Sequence, residues 1–124
     1  MGEGDALCVR LSWYKRRQRV GTPTAAEGRP GFHAATLPWL RERGVSIITA
    51  DSSCDVAPSE YPNIGPPIHR VGIVGMGLWL IDAANFEPLV ETCEQLSRWE
   101  FMFMVAPLRF YNATGSPVNP LAVF

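Results

Sequence analysis

PPIHRVGIVGMGLWLID, Pro66–Asp82, joins a proline-rich loop to the longest apolar run of the chain. A histidine stands at the entrance to that run and a carboxylate closes it. LWLID, at its end, reads as a strand bounded by glycine. RVGIVGMG before it is apolar without a clear period, and its glycines permit close backbone approach. His69 is placed where it can be a metal ligand, a general base, or a capped structural residue. The segments around it decide the fold.

Upstream, VSIITA (Val45–Ala50) is β-branched and apolar, so it predicts a buried strand. HAATLPWLRERG predicts a short helix before it, with Pro38 near the first turn, Arg41 and Arg43 at the C-terminal dipole, and Gly44 as the stop. A helix followed at once by such a strand is half of a βαβ unit. DALCVRLSW (Asp5–Trp13) predicts a further strand, and the polar KRRQRVGTPTAAEGRPGF a long exposed loop. DSSCDVAPSEYPNIGPP, rich in proline and acidic residues, is a second long loop that ends at His69. Loops of that length in a small domain are usually functional or disordered.

Downstream, NFEPLVETCEQLSRW is the clearest helix, with Asn85 as cap and Glu87 at the positive end. Phe86, Leu89, Val90, Cys93 and Leu96 form one apolar stripe. EFMFMVAPLRF predicts a buried strand whose Phe/Met alternation is core packing, YNATGSPVNP a turn, and LAVF a last short strand. The order is β-α-β-loop-β-α-β-β, an α/β domain.

Composition narrows the function. The chain has 124 residues, enough for one domain with a real core, and a formal net charge of −1. No long-range field draws it to nucleic acid or to an anionic membrane. The basic run Tyr14–Arg19 reads as a solvated turn, with no aromatic stacking platform beside it. The glycine-broken apolar run is too short to span a bilayer. Cys8, Cys54 and Cys93 are widely spaced, without a CxxC pair, so free thiols and a reducing, cytoplasmic setting are expected. MGEGDAL lacks the basic and apolar pattern of a secretory signal.

A metal site built from side chains needs about three converging ligands. There are two histidines, His33 and His69, and no HExxH, G-x-S-x-G or G-x-G-x-x-G pattern. His33 is expected near a helix start, facing solvent or a cap. Around His69 three features favour a site. It sits at the edge of the core, glycines 72, 75 and 77 thin the segment beside it, and Asp82 offers a carboxylate that can fix an imidazole tautomer. A cleft lined by Pro66, Pro67 and those glycines is expected next to it.

The stretches GDALCVR, HAATLPWLRERGVSIITADSS, PPIHRVGIVGMGLWLIDAANFEPLVETCEQLSRWEFMFMVAPLRF and ATGSPVNPLAVF, in that order, resemble the C-terminal part of the cyclase family. This family of metal-dependent hydrolases includes bacterial kynurenine formamidases and isatin hydrolases. The resemblance implies the C-terminal part of a swivelling β/β/α domain, a mixed sheet with two main helices. It also implies a zinc or manganese ion and a small-molecule amide or lactam as substrate. In the family the metal is held chiefly by a His-x-Gly-Thr-His-x-Asp-x-Pro-x-His motif, completed by a later histidine and a later acidic residue. His69 matches the later histidine. Asp82 falls where the family has glutamate, with about one residue of extra spacing.

The main motif does not occur in this chain, so residues 1–124 resemble one partial domain lacking it. His69 and Asp82 alone give an incomplete site. The expectation is a chain that binds no metal tightly and is inactive when isolated. The alternative is a non-catalytic binding or assembly module derived from the same fold. In either case uncovered strand edges and apolar surface imply a homo-oligomer, a dimer first.

Overall fold

Strand β2, Ile47–Ala50, is central in a computed structural model that describes residues 1–124, the side chain of Ala25 excepted. Strands β1 (Ala6–Val9) and β3 (Trp79–Ile81) flank it, both parallel to it. Ala6 pairs with Ile47 and Val9 with Ala50; on the other side Ile47 pairs with Trp79 and Thr49 with Ile81. Ile48, Thr49 and Ala50 are all buried, as a strand covered on both faces must be. Parallel neighbours need long crossovers. The first carries helices α1 (Trp13–Val20) and α2 (Thr36–Glu42), and the second carries a loop and a π-helix, Ile68–Gly75.

Two compact units make up the chain, Met1–Phe86 and Glu87–Phe124. The core of the first joins Leu37 and Leu40 of α2 to Val45, Ile48, Ala50, Cys54, Ile68 and Leu78. Pro38 lies in the first turn of α2, and Gly44, at φ +64°, ends the helix with its N–H on the Arg41 carbonyl. The second unit holds helix α3 (Glu87–Leu96) and the antiparallel pair β4 (Met102–Met104) and β5 (Leu121–Val123). The expected α/β class is present, with parallel and antiparallel pairing in two separate sheets.

Four expectations change. The first strand ends at Val9, and the polar run after it is helical from Trp13 to Val20. Lys, Arg and Gln are good helix formers, and the Asp51 carboxylate accepts the Leu11 and Tyr14 backbone N–H groups at 2.6 and 3.2 Å, which starts the helix. The period-free RVGIVGMG forms the π-helix, whose wider turn escapes a 3.6-residue template. Leu96 lies outside the buried stripe, 54% exposed at the last position of α3. Finally, Met102, Met104, Leu121 and Val123 all stand exposed on one face of the β4–β5 pair, where core packing was expected. The other face is half-buried and includes the Phe101–Phe124 ring contact, with centroids 5.3 Å apart.

Candidate functional site

The carboxyl ends of parallel strands are where α/β sheets place their ligands. Here the residues beyond β2 and β3 converge. Past β2 the chain runs through Asp51 and Ser52 to Cys54 and Asp55. Phe32 pins this stretch: its N–H donates to the Cys54 carbonyl at 2.7 Å and its carbonyl accepts the Val56 N–H at 3.2 Å. Gly31 makes the approach possible, because a Cβ there would lie 2.3 Å from the Asp55 carbonyl carbon.

Asp55 is buried, its side chain only 3% exposed. An ionised carboxylate inside a protein must be met by donors. Three meet this one. The backbone N–H groups of Ile68 and His69, at the start of the π-helix, donate at 2.7 and 3.1 Å, and His69 Nδ1 makes a short contact with Oδ2. The carboxylate thus caps the helix and grips the imidazole that the helix presents.

Asp82 follows β3. Its Oδ1 accepts the Cys54 N–H at 2.6 Å, and its Oδ2 lies 3.0 Å from His69 Nε2. His69 is half-buried at the rim of the core, next to the fully buried Ile68, and Asp82 is more open. The two residues expected at the site are therefore together. The Cys54 thiol lies near the carbonyls of Ile48 and Ile81. Burial, then the nearby Asp82 charge, pushes its pKa far above the usual thiol range, so it is no nucleophile.

Asp55 and Asp82 both accept only, so each ring nitrogen of His69 faces a carboxylate and the imidazole proton can sit on either side. With the proton at Nδ1, the Nε2 lone pair meets a carboxylate oxygen 3.0 Å away, a repulsion that a cation between them relieves. Neighbouring ligands of tetrahedral zinc stand about 3.3 Å apart for bonds of about 2.0 Å. The pair is spaced close to such an edge, and Asp55 stands on the side of the ring where metal-bound imidazoles usually have an outer carboxylate. The donors stop at two. Among the described residues no group of three His, Cys, Asp or Glu side chains could hold a metal ion.

His33 behaves as expected. Its Nδ1 accepts the Ala35 N–H at 3.1 Å near the start of α2, and its exposed Nε2 pairs with Glu60 at 2.9 Å. Of the three glycines, a Cβ on Gly72 would meet Leu78 and Leu37, one on Gly75 would meet Val71, and one on Gly77 would meet nothing within 4 Å; Pro67 is buried and Pro66 exposed. Asp55 was not singled out from the sequence. Its only trace there is an acidic residue in the loop that precedes a histidine-bearing helix start.

No family model matches the chain, and no curated protein matches it. A solved structure does: the crystal structure of a novel cyclase, with a TM-score of 0.80 and 26% sequence identity, covering 100% of this chain and 41% of that one. The likeness supports the cyclase family for this chain, and the chain spans less than half of that cyclase's length. Among the described residues no helix is long and apolar enough to cross a membrane.

Proposed function

We propose that this chain is the C-terminal part of a metal-dependent hydrolase of the cyclase family, of the kynurenine formamidase or isatin hydrolase kind, acting on an amide or lactam. One observation carries the reading. His69 Nε2 and Asp82 Oδ2 face each other 3.0 Å apart, and each side chain is held from behind. His69 and Asp82 would ligate zinc or manganese. A bound divalent ion supplies a hydroxide at neutral pH and polarises the carbonyl under attack. Asp55 keeps the proton at Nδ1, so Nε2 remains a ligand or a proton carrier. The Cys54 N–H keeps Oδ1 of Asp82 occupied, so only Oδ2 faces the imidazole.

Two ligands without a third hold an ion weakly. The isolated chain is accordingly expected to bind zinc or manganese only loosely and to hydrolyse no N-formyl aromatic amine or lactam above background. The test is a manganese titration followed by NMR. Paramagnetic broadening should begin at His69 and Asp82 and disappear from that region in His69→Ala. Broadening that starts elsewhere, or tight one-to-one metal, would refute this two-donor site.

A second reading has its own observation. The exposed side chains of Met102, Met104, Leu121 and Val123 share one sheet face and form the cross-strand pairs Met102–Val123 and Met104–Leu121. A non-catalytic module that self-associates would use such a face. The proposed partner is a second copy of this chain, in a homodimer.

A further inference from the structure

We infer that the Cys54–Asp55 pair is a positioning device that sets the tautomer of His69 and the rotamer of Asp82 together. It rests on the site described above, and it holds whether or not that site takes a metal. Two adjacent residues of one loop reach the two partners. Cys54 gives its N–H to Asp82 Oδ1 at 2.6 Å, and Asp55 gives a carboxylate oxygen to His69 Nδ1. The same carboxylate is fixed by the N–H groups of Ile68 and His69. Turning the imidazole over or sliding it away would break its Nδ1 contact with Asp55 and the approach of Nε2 to Asp82.

The consequence is chemical. A neutral imidazole carries one proton on either nitrogen. Both carboxylates accept only, but Asp55 is buried and makes the shorter contact while Asp82 is exposed to solvent, so the proton is held at Nδ1 and the Nε2 lone pair is left toward Oδ2. Asparagine is nearly isosteric with aspartate, yet one of its two outer atoms is a donor. In Asp55→Asn the oxygen at the Oδ1 position keeps the Ile68 N–H, while the amide NH₂ takes the place of Oδ2 and donates to Nδ1, at the loss of the bond from the His69 N–H. The ring proton then moves to Nε2 and is donated to Asp82. Nε2 loses its lone pair, and the ligand edge is lost.

Neither residue needs to touch substrate. Asp55 acts through His69, so it is a positioning residue, and its loss should change the histidine's chemistry before it changes the fold. In other systems the loss of such an outer carboxylate weakens metal binding about ten- to hundredfold.

The experiment uses protein labelled with ¹⁵N at histidine, without metal, at a pH where the shifts show His69 neutral. Long-range ¹H–¹⁵N spectra report which nitrogen carries the proton. The wild-type chain should show Nδ1–H at His69, Asp82→Asn should keep it, and Asp55→Asn should show Nε2–H with its amide spectrum otherwise dispersed. A manganese titration of Asp55→Asn should need about ten- to hundredfold more metal for equal broadening at His69. An Nε2–H tautomer in the wild-type chain would overturn the inference whatever the fate of the variants. So would a folded Asp55→Asn that retains Nδ1–H. Failure of the metal titration alone, with the tautomers as stated, would instead count against the metal-site reading.

Discussion

The backbone N–H of Cys54 and Oδ1 of Asp82 lie 2.6 Å apart, so the loop after β2 is tied to the residue that ends the β3 run. That bond joins the segments that leave β2 and β3 at the carboxyl ends of these neighbouring strands. It also makes Asp82 a structural group as well as a candidate ligand. Replacing Asp82 by alanine should leave the Cys54 N–H without its partner and lower unfolding stability by about 1–3 kcal/mol, measured by urea denaturation. Asp82→Asn keeps an oxygen at that position and should recover most of the loss. Equal stabilities for all three proteins would show the bond to be dispensable.

Gly31 is required by its neighbour. A Cβ there would come within 2.3 Å of the Asp55 carbonyl carbon and 2.4 Å of the Val56 nitrogen, both backbone atoms that cannot swing aside. Gly31→Ala should therefore displace Asp55 and destabilise the chain by more than 1 kcal/mol, about the mean for a point mutation. The His69 ring signals should shift with it. Gly115→Ala, where a Cβ would have nothing within 4 Å, is the control.

Core and surface leucines should part company. Leu40 is fully buried in α2, whereas Leu96 is 54% exposed in α3. Leu40→Ala is expected to cost about 2–5 kcal/mol by cavity formation, and Leu96→Ala about 0.5 kcal/mol or less. Chemical denaturation of the two variants side by side checks the difference.

The buried thiol predicts a pH response. Cys54 holds its proton more tightly in the folded chain than in the unfolded one. Below the ordinary thiol pKa of about 8.5 both states are protonated and the group adds no pH dependence. Above it the unfolded chain releases the proton and the folded chain does not, so stability falls as pH rises, by up to about 1.4 kcal/mol per unit. Cys54→Ala should lose that part of the alkaline slope. In native protein at pH 8, Cys54 should resist alkylation and react only after denaturation.

Self-association, if it uses the exposed face of β4 and β5, should respond to charge. Light scattering is expected to give a dimer for the wild-type chain, and a monomer when Met104→Glu places a carboxylate opposite Leu121. A monomeric wild-type mass at micromolar concentration would remove the dimer reading.

Why some of this was legible in the sequence and some was not follows from the kind of force involved. The strand at Ile47–Ala50, the stop at Gly44 and the cap-like role of His33 are local, written in β-branched runs and turn residues. His69 and Asp82 stood out because each interrupts or ends an apolar run, and the fold does bring them together. Asp55 did not stand out. It sits fourteen residues before His69 in a loop with other acidic residues, and only the folded chain shows which of them is buried. Helix α1 was missed because its start depends on Asp51, nearly forty residues away in sequence. The Phe/Met strand looked internal because both of its faces are apolar, while the structure covers one of them.

No residue of helix α1 is fully buried, and the polar contacts to it include the Asp51 carboxylate at its start and the Arg16–Glu27 ion pair. Trp13, Tyr14 and Arg16 are half-buried and the rest of the helix is exposed, so it gains little from the cooperativity of the core. It should open on its own while the sheet stays closed. Its backbone amides should exchange with deuterium far faster than those of β2. Limited trypsin should cut first after Lys15, Arg16, Arg17 or Arg19, leaving residues from Val20 onward as a protected fragment.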